Sequence, residues 1–266
     1  MHPILNIAII AAKEAGEFII NELENVGQLK VEEKGRNDYV SEIDRVAEDI
    51  IIRAIRKYYP DHNILAEESG KHSTPSHFEW IIDPLDGTTN FLHELPHFAV
   101  SIAVREKGKL MHGVVFDPFK DELFSASRGD GARLNNFKIR VSGQNKLDNS
   151  LLATGFPYHD FSYIDAYMAG FKEFILKTAG LRRGGSAALD LAYVAAGRVD
   201  GYWEFNLKPW DIAAGALIVM EAGGIVTDFT GDDNYLTSGN IIAGNPKMLQ
   251  AMAKIITKTT PKELRK

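Results

Sequence analysis

The sequence predicts a layered α/β (α+β) fold in two subdomains, residues 1–145 and 146–266. Three observations predict it: helical apolar periods before Pro60, strands and turns over 99–141, and helices alternating with strands after Ser150. The first subdomain is expected to carry helices, an antiparallel sheet and most of the acids with chemical potential. The second is an α/β unit that completes the site. Over 4–20 the apolar residues are interrupted by Lys13, Glu14 and Glu17, the pattern of an amphipathic helix with Leu5, Ala8, Ala12, Ala15 and Ile19 on one face. A second helix over 44–58 aligns Ala47, Ile50, Ile51, Ala54 and Ile55 and ends at Pro60-Asp61. A short strand at 64–66 runs into Glu67-Glu68, and a polar loop over 69–76 separates it from a strand at 80–83. Strands at 99–104, 113–116 and 122–126 are joined by turns at Lys107-Gly108 and Asp117-Pro118, with Gly129-Asp130-Gly131 after the third, giving an antiparallel meander. Then come a helix at 186–196, a strand at 201–204, a helix at 212–221, a strand at 225–228 and a last helix from Pro246.

Composition narrows the chemistry. With 30 basic and 36 acidic residues the net charge is −6, and no basic block is present to grip a nucleic-acid backbone. The absence of cysteine rules out disulfides, thiolate metal sites and a cysteine nucleophile. No apolar run is long enough to span a membrane, and the start Met1-His2-Pro3-Ile4-Leu5 lacks the basic region and cleavage site of a signal peptide. A soluble, cytoplasmic protein is the expectation.

The most informative segment is Trp80-Ile81-Ile82-Asp83-Pro84-Leu85-Asp86-Gly87-Thr88-Thr89-Asn90. An apolar strand ends in Asp83, Pro84 stiffens the turn, and Asp86 follows before a glycine and a short helix start. Two carboxylates beside free backbone N–H groups suit a hard cation carrying an anion. The same residues also suit an ordinary Asp-Pro turn. Glu67 sits at a strand end, and Asp211, in Lys208-Pro209-Trp210-Asp211, sits just before a helix, where an N-cap is the usual reading. Solvated charges remain an alternative for all four acids.

Taken together these residues resemble the inositol monophosphatase family. One signature is the 80–91 segment ending in Phe91; the other is Trp210-Asp211-Ile212-Ala213-Ala214-Gly215-Ala216 followed by Glu221-Ala222-Gly223-Gly224. Glu67-Glu68-Ser69 and Gly185-Ser186-Ala187-Ala188 stand at the expected places. The resemblance covers nearly the whole chain. With the bacterial SuhB-type branch it extends to Met1-His2-Pro3 and to Ala153-Thr154-Gly155-Phe156-Pro157.

The resemblance implies a sugar-phosphatase-type αβαβα sandwich and a magnesium-dependent phosphatase with two or three ions. Glu67, Asp83 and the Leu85 carbonyl would hold the first ion; Asp83, Asp86 and Asp211 would hold the second; a weaker third would lie near Glu67. Thr88 and Gly87 would face the phosphate and the attacking water. Gly185, Ala187 and Glu204 would line the place of a hydroxyl-bearing ring, with Asp86 in reach, and Asp44 and Lys34 would stand behind the ligands. A homodimer and association with transcription antitermination factors are further implications.

The chemistry agrees with these roles. Phosphate monoester hydrolysis needs acceleration of up to ~10²¹-fold. A divalent cation makes water nucleophilic near neutral pH, and a second at ~3.5–4 Å stabilises the leaving oxygen; Asp83 is the candidate bridge. Using Asp83 and Asp86 as ligands leaves neither to attack phosphorus, so no covalent phosphoenzyme is expected. Glu204 argues for a polyol, because a carboxylate accepts hydroxyl hydrogen bonds and repels a second phosphate. The substrate expected is therefore myo-inositol 1-phosphate or a related polyol phosphate. Fructose 1,6-bisphosphate, 3′-phosphoadenosine nucleotides, or a regulatory role with catalysis secondary are the alternatives. The eight histidines show no metal spacing, Gly70-Lys71-His72-Ser73 lacks P-loop spacing and reads as surface loop, and Arg128-Gly129-Asp130 reads as a turn. Arg182-Arg183 reads as a dimer contact or salt bridge rather than a phosphate ligand.

Overall fold

A computed structural model describes residues 2–28, 31–35, 38–156 and 160–265, with the backbone alone for 27, 28, 31–35 and 38–41. The Lys34 side chain and Pro157, both named above, lie outside the described residues. The chain opens with helix α1 (Pro3–Glu22), a small hairpin of β1 (Val31–Gly35) and β2 (Asp38–Ser41), and helix α2 (Glu42–Tyr58). Next come β3 (Asn63–Ala66), β4 (Gly70–His72), β5 (Phe78–Asp86) and the short α3 (Thr88–Leu92). The meander follows as β6 (Ala99–Glu106), β7 (Lys109–Asp117), β8 (Glu122–Ser127), β9 (Gly131–Leu134) and β10 (Phe137–Lys138). The remainder is β11 (Leu151–Thr154), α4 (Ile164–Ile175), β12 (Gly180–Arg182), α5 (Ala187–Ala195), β13 (Gly201–Glu204), α6 (Pro209–Glu221), β14 (Ile225–Thr227), α7 (Tyr235–Ser238), β15 (Ile241–Gly244) and α8 (Pro246–Thr259).

The strands form two large mixed sheets. One runs β10-β9-β8-β7-β6-β5-β3-β4, antiparallel except where β3 pairs parallel with β5; the other runs β12-β11-β13-β15-β14. Alternation along a strand sends successive side chains to opposite faces, and that pleat builds the layers. Ile82 packs with Ile19 of α1 and Ile51 and Ile55 of α2, whereas Ile81 packs with Leu189 of α5 and Leu217 of α6. In the second sheet Tyr202 faces α5 and α6, while Trp203 faces Tyr167 and Phe174 of α4 and Met252 of α8. Five layers result, α1/α2, sheet, α5/α6, sheet, α4/α8, an αβαβα sandwich. Helix α6 is apolar around its circumference because sheets cover it on both sides. It comes close to the sheet at Gly113 of β7, where a Cβ would stand 2.9 Å from the Ala214 carbonyl oxygen.

Several local expectations need correction. The segment 69–76 is not loop throughout, because Gly70–His72 forms the edge strand β4 against β3. Its side chains are mostly exposed, so no apolar alternation marks it. Asp211 lies inside α6, since Pro209 takes the first helical position. The strand placed at 225–228 stops at Thr227, and α4, β11, β12 and β15 join the expected elements.

Candidate active site

Strand β5 positions the first acids. Along a regular strand, residues three apart point to opposite faces. Here Asp83 pairs with Ser101 and Asp86 with Ala99, so β5 carries one extra residue against β6. This bulge, centred on Pro84-Leu85, returns Asp86 to the side of Asp83. Pro84 is tolerated there because a bulge does not need its missing N–H. The Asp83 Oδ1 accepts the Leu85 N–H at 3.0 Å. Next to it, the Glu67 N–H donates to the Ile82 carbonyl at 3.1 Å, continuing the parallel β3–β5 ladder by one residue. Glu67 and Asp83 thus leave the carboxyl ends of adjacent parallel strands, where α/β sheets commonly bind ligands.

Other elements close the site. Gly87, with φ +101°, turns the chain into α3 in a left-handed conformation that side chains rarely adopt. The Thr88 hydroxyl then lies 2.8 Å from the buried Asp44 Oδ1 and 3.1 Å from the Leu85 carbonyl. From the far half of the chain, the Ser186 hydroxyl donates to Asp86 Oδ2 at 2.6 Å and the Ala188 N–H at 2.7 Å, so Asp86 caps the N-terminus of α5. Asp211 is held by the Lys208 N–H, 2.7 Å from its Oδ2. The Ser101 hydroxyl, opposite Asp83, donates to the Trp210 carbonyl at 3.2 Å and ties the start of α6 to β6.

All of the expected site residues line one pocket of about 370 Å³: Glu67, Asp83, Leu85, Asp86, Gly87, Thr88, Gly185, Ala187, Glu204 and Asp211. Asp44 stands behind Thr88. Glu204 enters from the end of β13, 9% exposed, with the Tyr202 hydroxyl donating to it. Gly155 makes room, since a Cβ there would overlap the Glu204 carboxylate.

The pocket is strongly acidic. Burial raises the Asp83 carboxyl well above its ordinary value, and Glu67, Asp86 and Asp211 push it further. Asp83 also shares a hydrogen bond with the Glu67 carboxyl. Burial lifts Asp86 to about 6 against the lowering effect of Ser186 and the amides of α5. Asp211 is raised well above the usual range by burial and then by Asp86 and Glu67. Glu204 is raised to about 7 by burial, opposed by Tyr202 and Arg183. Among the described residues, no three His, Asp or Glu side chains converge tightly enough to hold an ion as they stand. The donor set nevertheless fits a hard divalent cation. It is all oxygen and mutually repulsive, buried at Asp83 and half-buried at Glu67, Asp86 and Asp211, and a cation would relieve that repulsion.

Seven further lining residues had no site role in the sequence reading: Thr89, His93, Gly155, Arg183, Ser186, Asp190 and Leu207. Arg183, expected at a dimer contact or salt bridge, lines the pocket with its guanidinium 4.5 Å from the Phe156 ring centre and lowers the Glu204 and Asp86 carboxyls. Ser186 is the α5 cap described above. Asp190 is 4% exposed and raised well above its ordinary value by burial, then by Glu204 and Asp86. One signal could have found it: Asp190 is the only charged residue in the apolar helix α5.

Comparison with known proteins accords with this geometry. The profile of the inositol monophosphatase family matches residues 1–261. The Nus factor SuhB of Escherichia coli is 54% identical over 253 residues, 95% of each chain. Among solved structures, the extragenic suppressor protein suhB from Bartonella henselae superimposes with a TM-score of 0.94 at 44% identity, covering 97% of this chain and 99% of that one. The Thermotoga maritima IMPase gives 0.88 at 39% identity, covering 97% and 98%. By sequence, layer order and pocket, the chain belongs to the inositol monophosphatase family and is a phosphatase.

Proposed function

We propose that the chain is a magnesium-dependent phosphate monoester hydrolase that releases phosphate from myo-inositol 1-phosphate and related polyol phosphates. The carrying observation is a single pocket that gathers Glu67, Asp83, Asp86 and Asp211 on one side and Glu204 on another. Glu67, Asp83 and the Leu85 carbonyl would hold one magnesium, and Asp83, Asp86 and Asp211 a second, with Asp83 shared. Bound there, magnesium supplies Lewis acidity toward the phosphate oxygens and lowers the pKa of water.

The protein's own groups do the rest. The Thr88 hydroxyl donates to Asp44, which leaves its lone pairs to orient a water and gives that water's proton a route to a buried carboxylate. Ser186 and the Ala188 N–H fix Asp86, so the acid keeps its aim while charge redistributes. Glu204, oriented by the Tyr202 hydroxyl, accepts a hydrogen bond from a substrate hydroxyl. Arg183 offsets part of the negative charge along that wall. Asp83 and Asp86, once they serve as ligands, would not attack phosphorus, so a covalent phosphoenzyme is not expected.

A second reading rests on the names of the relatives. A chain 54% identical to a Nus factor is a candidate partner of transcription antitermination factors, acting in the cytoplasm and as a homodimer. Both readings can hold together.

The deciding assay is phosphate release from myo-inositol 1-phosphate with and without magnesium, for wild type and Asp86→Asn, beside fructose 1,6-bisphosphate and 3′-phosphoadenosine 5′-phosphate. Magnesium-dependent turnover of the inositol ester, lost in the variant, is expected. Turnover of another ester alone would overturn the substrate while keeping the metal site. No turnover of any ester, with magnesium bound, would put the regulatory reading first. Retained capture of antitermination factors by Asp86→Asn would separate that role from catalysis.

A further inference from the structure

We propose that Glu48 is a positioning residue for the metal-holding loop, fixing where Glu67 presents its carboxylate. The inference rests on the reading of Glu67 as a metal ligand. Glu48 lies in the second turn of α2, 2% exposed, and reaches the turn between β3 and β4. Its Oε2 accepts the Glu68 N–H and its Oε1 the Ser69 N–H, each at 2.8 Å. The Glu67 N–H itself donates to the Ile82 carbonyl. Three successive amides are therefore anchored, the first by strand β5 and the next two by one carboxylate. Clamped on both sides, the backbone of Glu67 has little freedom to swing its side chain out of the pocket.

An apolar residue at position 48 would fill the same interior space. What only a carboxylate does is accept two parallel N–H groups at once, a charge-assisted arrangement that offsets the cost of burying the charge. Asp44 stands four residues earlier, on the same face of α2, and takes the Thr88 hydroxyl. One helix face thus grips the turn after Glu67 and the turn after Asp86. It sets the span between the two groups of acids that must share an ion pair.

Manganese(II) alone, followed by electron paramagnetic resonance with magnesium as competitor, serves as the probe of the full chain. Glu48→Gln keeps the shape but can accept only one amide and turns a donor toward the other. It is expected to weaken manganese binding roughly 10–100-fold, the usual effect of losing a group that orients a metal ligand. In a Glu67→Gln background the same substitution should leave affinity within about two-fold, because the ligand it acts through is gone. Equal affinity of Glu48→Gln and wild type overturns the proposal and leaves the metal reading intact. So does an equal loss in both backgrounds, which would mark a merely structural role. Absence of manganese binding in wild type overturns the metal reading and this proposal with it. If Glu48→Gln fails to fold, Glu48→Asp, which withdraws the oxygens by one methylene, carries the same comparison.

Discussion

Asp86 belongs to two environments, and its chemistry follows from that. It ends the strand that carries Asp83, yet its hydrogen-bond partners are Ser186 and Ala188, at the start of α5. Asp86→Asn keeps the size but would set an amide NH2 or a weaker acceptor against those donors and remove the charge of a proposed metal ligand. Phosphate release should fall by more than the roughly 10–100-fold expected for losing an outer partner, which steady-state kinetics at saturating magnesium would measure. A second expectation concerns pH. Asp86 and Glu204 titrate at about 6 and about 7 in the fold, above ordinary values of 3.8 and 4.5. The folded chain therefore holds protons that the unfolded chain has released, and these two groups favour the fold fully only below those ordinary values. Their contribution is lost as pH rises through about 7. In chelator, Tm should fall from pH 5 to pH 8 by more in wild type than in Glu204→Gln, as scanning calorimetry would show. The acids of the two signatures were legible in the sequence because their spacing is distinctive. Arg183 and Asp190 were not, since their roles arise from neighbours that only the folded pocket supplies.

Elements place these residues through a few backbone devices. The β5 bulge brings Asp83 and Asp86 to one side, Gly87 turns the chain, and Gly113 lets α6 lie against the sheet. A Cβ on Gly87 would combine a left-handed φ with approaches of 3.0 Å to the His97 carbonyl and 3.3 Å to that of Gly185. Gly87→Ala should destabilise by about 1–3 kcal/mol and reduce turnover, read by urea unfolding and phosphate release. Gly113→Ala meets backbone rather than a yielding side-chain end, so a loss of about 1–3 kcal/mol is expected by the same unfolding assay. Because α6 carries Asp211, a proposed ligand, the substitution should also weaken the magnesium binding proposed above. Helices α1, α2 and α6 and the meander were readable because burial imprints their periods directly. Strand β4 was not, being a polar edge, and α4 follows an N-cap residue, Tyr163, whose side chain makes no capping hydrogen bond to announce it. Asp211 shows a boundary effect: an acid at the third helical position reads as an N-cap unless Pro209 is given its place at the first.

At the scale of the molecule, five layers bring distant segments together, and the pocket lies where the two sheets and α5 meet. Layering itself was legible as a change of period along the chain; the order of strands was not, because pairing partners are set by packing. If magnesium occupies the proposed site, removing it should be felt globally. Ligand at 100 times its Kd stabilises a fold by about 2.7 kcal/mol, so chelation should lower Tm by several degrees, and less in Asp83→Asn, by thermal scanning. The Asp86–Ser186 hydrogen bond has another consequence, for the birth of the protein. Its partners are 100 residues apart. At a synthesis rate of about 5–20 residues per second, Asp86 leaves the ribosome about 5–20 s before Ser186. During that interval the nascent chain exposes three of its four acids without the helix that aims one of them, so competence arrives late, as the last third of translation delivers α5 and Asp211.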